Sequence, residues 1–309
     1  MAPATGPDQG RAALLSAFSC YVLWGFMPLL FMGQHAVGFD AMEILAHRTI
    51  WAAPVAFALV WFARQNAQVV AAFRNPKIIS LLAVSTALIG LNWGLYVWAT
   101  THHATLEASL GYYINPLLNM IVGLWLFRER IDRWGWVAIG LAFVGVVLQA
   151  LALGRPPWIS LILAVTFASY GVIRKKVAVD AQAGLFIECL LLAPFGIAWL
   201  VWLNQTGAAV GFDDPVHVAW ALLNGPATVL PLVLFAWSAR RLPLSTLGFI
   251  QFLAPTIQFG VGVATGESLT ALRIASFAFI WGGALVFATA AFFRQRAARQ
   301  ALKASAEPV

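Results

Sequence analysis

The chain has 309 residues, of which 61% are hydrophobic and only 10% are charged, whereas soluble domains usually carry about 25% charged residues. This composition excludes a water-soluble globular protein and predicts a polytopic membrane protein. The net charge of +7 does not indicate nucleic-acid binding, because the basic residues lie in short clusters between apolar stretches. Cys20 and Cys189 both lie within apolar stretches, so we expect two buried free thiols.

Ten apolar stretches are long enough, or nearly so, to cross a bilayer as helices, since a hydrocarbon core needs about 20 residues per span. In chain order they cover residues 12–33, 41–63, 77–99, 105–127, 134–153, 156–173, 181–203, 217–239, 244–264 and 272–293. Each stretch is continuously apolar and not alternating, which is typical of helices and not of barrel strands. We expect the first stretch, which closely follows Arg11, to be retained as a helix and not removed as a signal peptide.

The basic residues between these stretches are distributed very unequally between the two sides of the membrane. One side receives sixteen of the nineteen lysines and arginines, the other receives Arg155 and Arg273, and Arg48 lies inside the second stretch. By the positive-inside rule, this distribution predicts ten spans with both termini in the cytoplasm.

The two halves of the sequence resemble each other at a shift of 139 residues. This shift pairs Trp98 with Trp237, Tyr112 with Gln251, Pro116 with Pro255, Asn119 with Gln258 and Gly123 with Gly262. Because five is an odd number, two five-helix repeats would enter the membrane from opposite sides, as in many secondary transporters. We therefore divide the chain into a cytoplasmic tail (1–10), a first repeat (11–153), an inverted second repeat (154–294) and a second cytoplasmic tail (295–309). Pro116 and Pro255 are expected to interrupt equivalent helices, the fourth and the ninth.

Three ionisable residues, Glu43, His47 and Arg48, lie inside the second span. A rise of about 1.5 Å per residue from a helix start near Asp40 puts Glu43 roughly 5 Å deep and Arg48 roughly 12 Å deep. Charges at such depths pair with one another or line a hydrated cavity. One interpretation is a structural cluster in which Glu43 accepts hydrogen bonds from His47 or Arg48, another is contact with substrate or protons, and a third has Glu43 reaching the interface. Arg48 suits an anchor for a carboxylate or phosphate, while His47 and Glu43 suit a proton relay.

Two more carboxylates belong to predicted spans. Glu188 lies roughly 12 Å deep in the seventh span. It is a candidate proton carrier, a partner for an arginine such as Arg48, or a residue that lines solvent. Glu107 begins the fourth span, where a carboxylate stabilises the start of a helix.

Uncharged polar residues form stripes on three predicted spans, each stripe sharing one helix face. These residues are Asn92 and Tyr96 on the third span, Tyr112, Asn115 and Asn119 on the fourth, and Gln251 and Gln258 on the ninth. They either form hydrogen bonds between helices or line a cavity for a small polar or aromatic molecule. The matching positions on the fourth and ninth spans favour the cavity, and Trp24 on the first span is placed to gate it or to stack on its ligand.

Several motifs resemble the RarD family, bacterial members of the EamA group in the drug/metabolite transporter (DMT) superfamily. They are "CYVLWGFMPLLF", "EILAHRTIW", "NWGLYVWA" and "EASLGYYINPLLNMIVG", in residues 20–123. The resemblance extends over about residues 10–295 and is closest over 20–135. It implies a ten-helix transporter of the bacterial inner membrane with cytoplasmic termini, and it names no substrate. The second half departs from the EamA pattern, with "TGESL" where the pattern has a GER-type ending.

The sequence therefore predicts an all-α polytopic membrane protein with two inverted five-helix repeats. We expect a secondary transporter, most simply an exporter, that moves a small organic metabolite or drug-like solute by alternating access, with protons as a candidate coupling ion. The alternative is a membrane enzyme acting on a lipid-linked substrate, for which we find no metal cluster and no nucleophile with its base. No P-loop is present, and we predict no cofactor and no metal. The expected partners are the solute, the lipid bilayer and protons, with the protein a monomer or a homodimer and no nucleic acid bound.

Overall fold

The structure is a computed structural model, which describes residues 7–127, 133–212, 214–239, 241–242 and 250–304. Within these ranges the chain forms helices and no strands. The helices are α1 (Pro7–Ala36), α2 (Ala41–Phe62), α3 (Asn66–Arg74), α4 (Pro76–Thr101), α5 (Thr105–Phe127), α6 (Arg133–Leu153), α7 (Trp158–Lys176), α8 (Ala181–Thr206), α9 (Pro215–Ala239), α10 (Leu253–Ala264) and α11 (Ala271–Ala304).

Each of the ten predicted apolar stretches overlaps one helix, and α3 is an additional short helix between the second and third stretches. Within the described ranges, seven helices are long and apolar enough to cross a membrane, namely α1, α2, α4, α6, α8, α9 and α11, and α7 and α10 are shorter apolar helices. The start of the stretch predicted for the ninth span lies outside the described residues. The protein is thus a multi-pass membrane protein whose described part is built of helices.

Helix α2 lies near the centre of the helix packing. It contacts α8 along one side and α9 along another. Around it, α4 packs on α7 and α8, α1 packs on α9 and α10, and α5 packs on α7 and α10, while α6 pairs mainly with α11. Residues in the middle of α2 are therefore surrounded by helices from distant parts of the sequence.

The helix α2 begins after Asp40, whose side chain caps its first turn, in agreement with the start expected from the sequence.

Two glycines allow α8 and α9 to approach α2 closely. A Cβ atom at Gly225 of α9 would lie only 2.4 Å from the Trp51 carbonyl oxygen, and one at Gly196 of α8 would lie 2.8 Å from Thr49 Oγ1. These close approaches fix α2 on both flanks of Arg48.

The two prolines expected to break helices behave differently. Helix α5 is continuous from Thr105 to Phe127, so Pro116 does not interrupt it, contrary to the expectation. A proline removes one backbone hydrogen bond, and a long helix packed against its neighbours tolerates that loss with a bend. Helix α10 begins directly after the turn residue Phe252, and Pro255 is its third residue. In a first helical turn the missing N–H costs nothing, because it has no intrahelical acceptor.

Candidate functional site

The three ionisable residues of α2 point to different neighbours and do not form the cluster considered from the sequence. Glu43 is buried, and its Oε1 accepts a hydrogen bond of 3.0 Å from the backbone N–H of Val210, in the α8–α9 connection. The His47 ring packs edge-on between Phe39 and Phe212, with ring centroids 5.6 and 5.5 Å away. Neither ring nitrogen of His47 has a hydrogen-bond partner among the described residues.

Arg48 is 5% exposed and is directed toward α4 and α9. Its Nε donates to Thr228 Oγ1 at 3.1 Å, and its guanidinium carbon lies 4.2 Å from the ring centroid of Trp93 and 5.5 Å from that of Phe31. The buried Nη1 has no hydrogen-bond partner, and within the described ranges no carboxylate forms an ion pair with it. Among the residues that the structure describes, the positive charge of Arg48 is thus compensated only by a hydroxyl group and aromatic rings.

Tyr96 and Tyr112 belong to the same group of side chains as Arg48, since the Phe31 ring lies 6.0 Å from the Tyr96 ring and 5.5 Å from the Arg48 guanidinium carbon. Their rings are in edge-to-face contact at 5.4 Å. The Tyr112 hydroxyl donates to Asn92 Oδ1 at 3.1 Å, and Asn92 Nδ2 donates to α7 at two oxygens, each 2.9 Å away. Asn92 therefore joins three helices, and both its amide oxygen and its nitrogen have partners. The buried Tyr96 hydroxyl, in contrast, has no partner among the described residues.

The remaining amide side chains differ in how fully they are bonded. Asn115 is completely buried, and neither its oxygen nor its nitrogen has a partner in the described structure. Gln258 donates to the Trp24 carbonyl oxygen at 3.1 Å and so fastens α10 to α1, while its own Oε1 has no partner. Gln251 is partly buried. The structure describes the backbone of Asn119 in α5 but not its side chain.

Glu188 of α8 occupies a second buried polar cluster. It accepts a hydrogen bond of 2.6 Å from Ser85 of α4 and one of 3.3 Å from the Tyr170 hydroxyl of α7. Its arginine partner is Arg174, whose Nε lies 3.7 Å away, and not Arg48. Sequence analysis treated Arg174 only as part of the basic cluster on the cytoplasmic side.

Two other carboxylates cap helices to which they do not belong. Glu107, in the first turn of α5, accepts a hydrogen bond of 3.2 Å from Ile159 at the start of α7 and forms an ion pair of 3.1 Å with Arg155. The start of α5 is capped instead by Glu267, which accepts hydrogen bonds of 2.6 and 3.0 Å from Thr105 and the next residue. Glu107 lies in the first turn of α5 as predicted, but the capping hydrogen bonds come from Glu267, which sequence analysis missed because it is distant in sequence.

A cleft of about 220 Å³ lies where the α4–α5, α6–α7 and α10–α11 connections meet. Its lining includes Arg155 and Arg273, the two basic residues that the charge pattern places on the outer side, together with Glu107 and Glu267. The described residues contain no group of three or more histidine, cysteine or acidic side chains arranged to hold a metal ion.

Sequence reasoning missed the residues that surround Arg48, namely Phe31, Trp93 and Thr228. Each is an ordinary residue of an apolar span, and no local pattern distinguishes it. A threonine in an apolar helix usually bonds to its own backbone, so the contact between Thr228 and Arg48, 180 residues apart, has no signal in one sequence.

Comparison with known proteins gives a consistent result. Residues 11–151 match a family model described as the EamA-like transporter family. The chain is 38% identical over 304 residues to Protein RarD of Streptomyces exfoliatus, which spans 98% of this chain and 96% of that protein. It is 40% identical over 290 residues to Protein RarD of Escherichia coli K12, with 93% and 97% covered. An uncharacterized transporter of Vibrio cholerae is 38% identical over 303 residues, with 96% and 98% covered.

A solved crystal structure also matches, with a TM-score of 0.63 over 91% of this chain and 98% of that chain. The two sequences are 18% identical, so this similarity shows a shared fold alone.

Proposed function

Because the chain belongs to the RarD family of EamA-type transporters, in the DMT superfamily, we propose that it is a secondary transporter that exports a small organic solute. The solute crosses the bacterial inner membrane by alternating access, and both termini lie in the cytoplasm. Several of its relatives are named as transporters, and none of those names specifies a solute.

The observation that carries the proposal is a group of buried, unpartnered polar groups around α2, α4 and α5. Arg48 Nη1, the Tyr96 hydroxyl and the Asn115 amide all lack hydrogen-bond partners among the described residues. An unsatisfied buried polar group costs about 1–3 kcal/mol, and a charged one costs more. Arg48 and Tyr96 both lie beside the Phe31 ring, and Asn115 is about one helical turn from Tyr112, which contacts Tyr96. Such groups are consistent with a site whose partners arrive with a bound solute.

The helix packing supports two inverted repeats, 11–153 and 154–294. In these repeats, the counterparts are α1 and α7, α2 and α8, α4 and α9, α5 and α10, and α6 and α11. When each helix is exchanged for its counterpart, the α4–α7 pair becomes the α9–α1 pair. The same exchange turns the α5–α7 pair into the α10–α1 pair and leaves the pairs α2–α8, α5–α10 and α6–α11 unchanged. All of these are observed contacts. A pseudo-two-fold axis of this kind allows a central site to open alternately to the two sides.

Contacts at both ends of α2 are candidates for the gates of this cycle. At the end expected to face outward, Glu43 accepts the Val210 backbone N–H. At the cytoplasmic end, Gln65 donates to Gln182 Oε1 at 2.8 Å. Both contacts join the first repeat to the second. Alternating access requires that the two contacts break at different stages of the cycle.

Glu188 is the best supported of the three candidates for proton coupling, which also include Glu43 and His47. Its carboxylate holds Ser85 of the first repeat together with Tyr170 and Arg174 of the second. Protonation would remove the charge that attracts Arg174 and would weaken this junction. Binding and release of a proton would thereby bias the relative position of the two repeats.

The test compares solutes released by a strain that lacks the protein with those released by a strain that overproduces it. We expect at least one small organic solute to accumulate outside the overproducing strain, and Arg48→Gln to abolish the accumulation. Arg273→Gln is the control and retains export, because it changes a partly buried arginine that donates to the Ser268 carbonyl oxygen and lies away from Arg48. Identical external solutes in all strains would contradict the proposal.

Flux in proteoliposomes then tests the coupling. Export of the identified solute should respond to an imposed pH gradient in the wild-type protein. Glu188→Gln should remove that response because glutamine cannot exchange a proton. If flux proceeds at the same rate with and without the gradient, proton coupling is refuted while transport stands.

A further inference from the structure

The guanidinium of Arg48 carries a full charge, and none of the described residues supplies an opposite charge in an ion pair with it. Arginine remains protonated in proteins, and a buried unpaired ion costs far more than any buried neutral group. In the described parts of the chain, Arg174 has Glu188 as its counter-ion and Arg155 has Glu107. Arg48, at 5% exposure, has neither a carboxylate nor bulk water.

The hydrogen bonds of Arg48 to described residues use only part of its guanidinium group. The Trp93 ring, 4.2 Å from the guanidinium carbon, interacts with the cation through its π-face. Thr228 accepts from Nε at 3.1 Å and orients the group. The buried Nη1 has no acceptor. The edge of a guanidinium is where carboxylate and phosphate oxygens form paired hydrogen bonds.

A second unpartnered donor lies nearby. The Tyr96 hydroxyl has no hydrogen-bond partner in the described part of the chain, and its ring contacts Phe31 at 6.0 Å, the same ring that lies beside Arg48. Tyr112 contacts Tyr96 at 5.4 Å. Arg48 and Tyr96 are therefore surrounded by aromatic rings, which suit the apolar or aromatic body of a small molecule.

From this geometry we propose that the solute is an organic oxyanion, whose carboxylate or phosphate group binds Arg48 and Tyr96 and whose apolar body packs against Phe31, Trp93 and Tyr112. This assignment of a solute class rests on the proposed transport function. Because Arg48 has no counter-ion among the described residues, the solute itself has to carry the negative charge. A neutral analogue of the same shape would leave the guanidinium unpaired and is rejected.

Thermal unfolding of the purified full-length protein tests the binding directly. The probes are benzoate and phenyl phosphate, which carry the two oxyanion groups, and benzamide, which has the shape of benzoate without its charge. We expect benzoate, phenyl phosphate or both to raise the unfolding midpoint of the wild-type protein, and benzamide to leave it unchanged. The probe that raises the midpoint shows whether the site binds a carboxylate or a phosphate. The shift should vanish in Arg48→Gln and persist in Arg273→Gln.

The stability of the ligand-free protein gives a second measurement that does not depend on the choice of probe. If the charge of Arg48 lacks a counter-ion, Arg48→Met removes an uncompensated buried ion and raises the unfolding midpoint by several degrees. A lower midpoint in Arg48→Met would mean that the charge is already balanced, and would overturn the proposal. Equal shifts with benzamide and benzoate, or no oxyanion-induced shift that depends on Arg48, would also overturn it.

These outcomes are separable from failure of the transport function. Arg48-dependent oxyanion binding without flux in proteoliposomes leaves the binding site standing and refutes transport. Flux of uncharged solutes that is unchanged in Arg48→Gln leaves transport standing and refutes the assignment of an anionic cargo.

Discussion

Replacement of Glu188 by glutamine is expected to lower stability through the loss of its charge and not of its shape. Glu188 and Arg174 have side chains that are 1% and 13% exposed, and their charged atoms lie 3.7 Å apart. With an effective dielectric constant of about 20, two unit charges at 3.7 Å attract each other by roughly 4–5 kcal/mol. Solvent that reaches Arg174 reduces this figure, so we expect a coupling energy of about 1–3 kcal/mol.

A double-mutant cycle isolates this coupling from the other contacts of Glu188. The variants are Glu188→Gln, Arg174→Gln and the double variant, and unfolding free energies are measured by titration with denaturant or sodium dodecyl sulfate in mixed micelles. Glu188→Gln alone should cost about 3 kcal/mol, since removal of one partner of a buried pair leaves the other uncompensated. The double variant should be more stable than the sum of the single losses predicts.

Ser85→Ala provides the matched control for the same carboxylate. It removes the 2.6 Å hydrogen bond to Glu188 without changing any charge, and it should cost about 1.5–3 kcal/mol. The loss of unfolding free energy caused by Ser85→Ala should be similar in the wild-type protein and in Arg174→Gln. Strict additivity of Glu188→Gln and Arg174→Gln would refute the reasoning, because the two charges would then act independently.

Three other substitutions test separate contacts. Gly225→Ala should lower the unfolding free energy by about 1–3 kcal/mol, because the added methyl group meets the Trp51 carbonyl oxygen; an unchanged midpoint in thermal unfolding would contradict the close packing of α9 on α2. Glu267→Gln should lower the unfolding free energy by about 1.5–3 kcal/mol, because it removes a charged acceptor from the start of α5. Amide hydrogen exchange at the start of α5 should become faster, and an unchanged exchange rate would contradict the cap. Gln65→Ala should make the cytoplasmic end of the central region more accessible to thiol reagents at introduced cysteines, and unchanged labelling would argue against a gate at this position.

The course of the backbone could be predicted from the sequence because it depends on local patterns. A continuous apolar stretch over 105–127 predicted a helix, and α5 covers Thr105–Phe127. The helix α3 was missed, since nine residues with mixed polarity fall below the length of a span and have no caps to mark them.

The candidate site was predictable only as a set of residues and not as an arrangement. A charge inside an apolar span signals burial, and Glu43, His47, Arg48 and Glu188 are all buried. Their partners depend on helix packing, which one sequence does not encode locally. Arg174 looked like a topology signal because it stands in a basic cluster, and only the proximity of α7 to α8 makes it the partner of Glu188.

The exchange of helix caps has a consequence for how the chain matures during synthesis. Glu267 lies 162 residues after Thr105 and accepts a hydrogen bond from the Thr105 backbone N–H. At about 5–20 residues per second, the ribosome needs roughly 8–30 seconds to synthesise the 162 residues from Thr105 to this acceptor. During that interval the amino end of α5 depends on water or lipid headgroups for its hydrogen bonds. The N-terminal part of the chain, expressed alone, would therefore remain a substrate for membrane quality control.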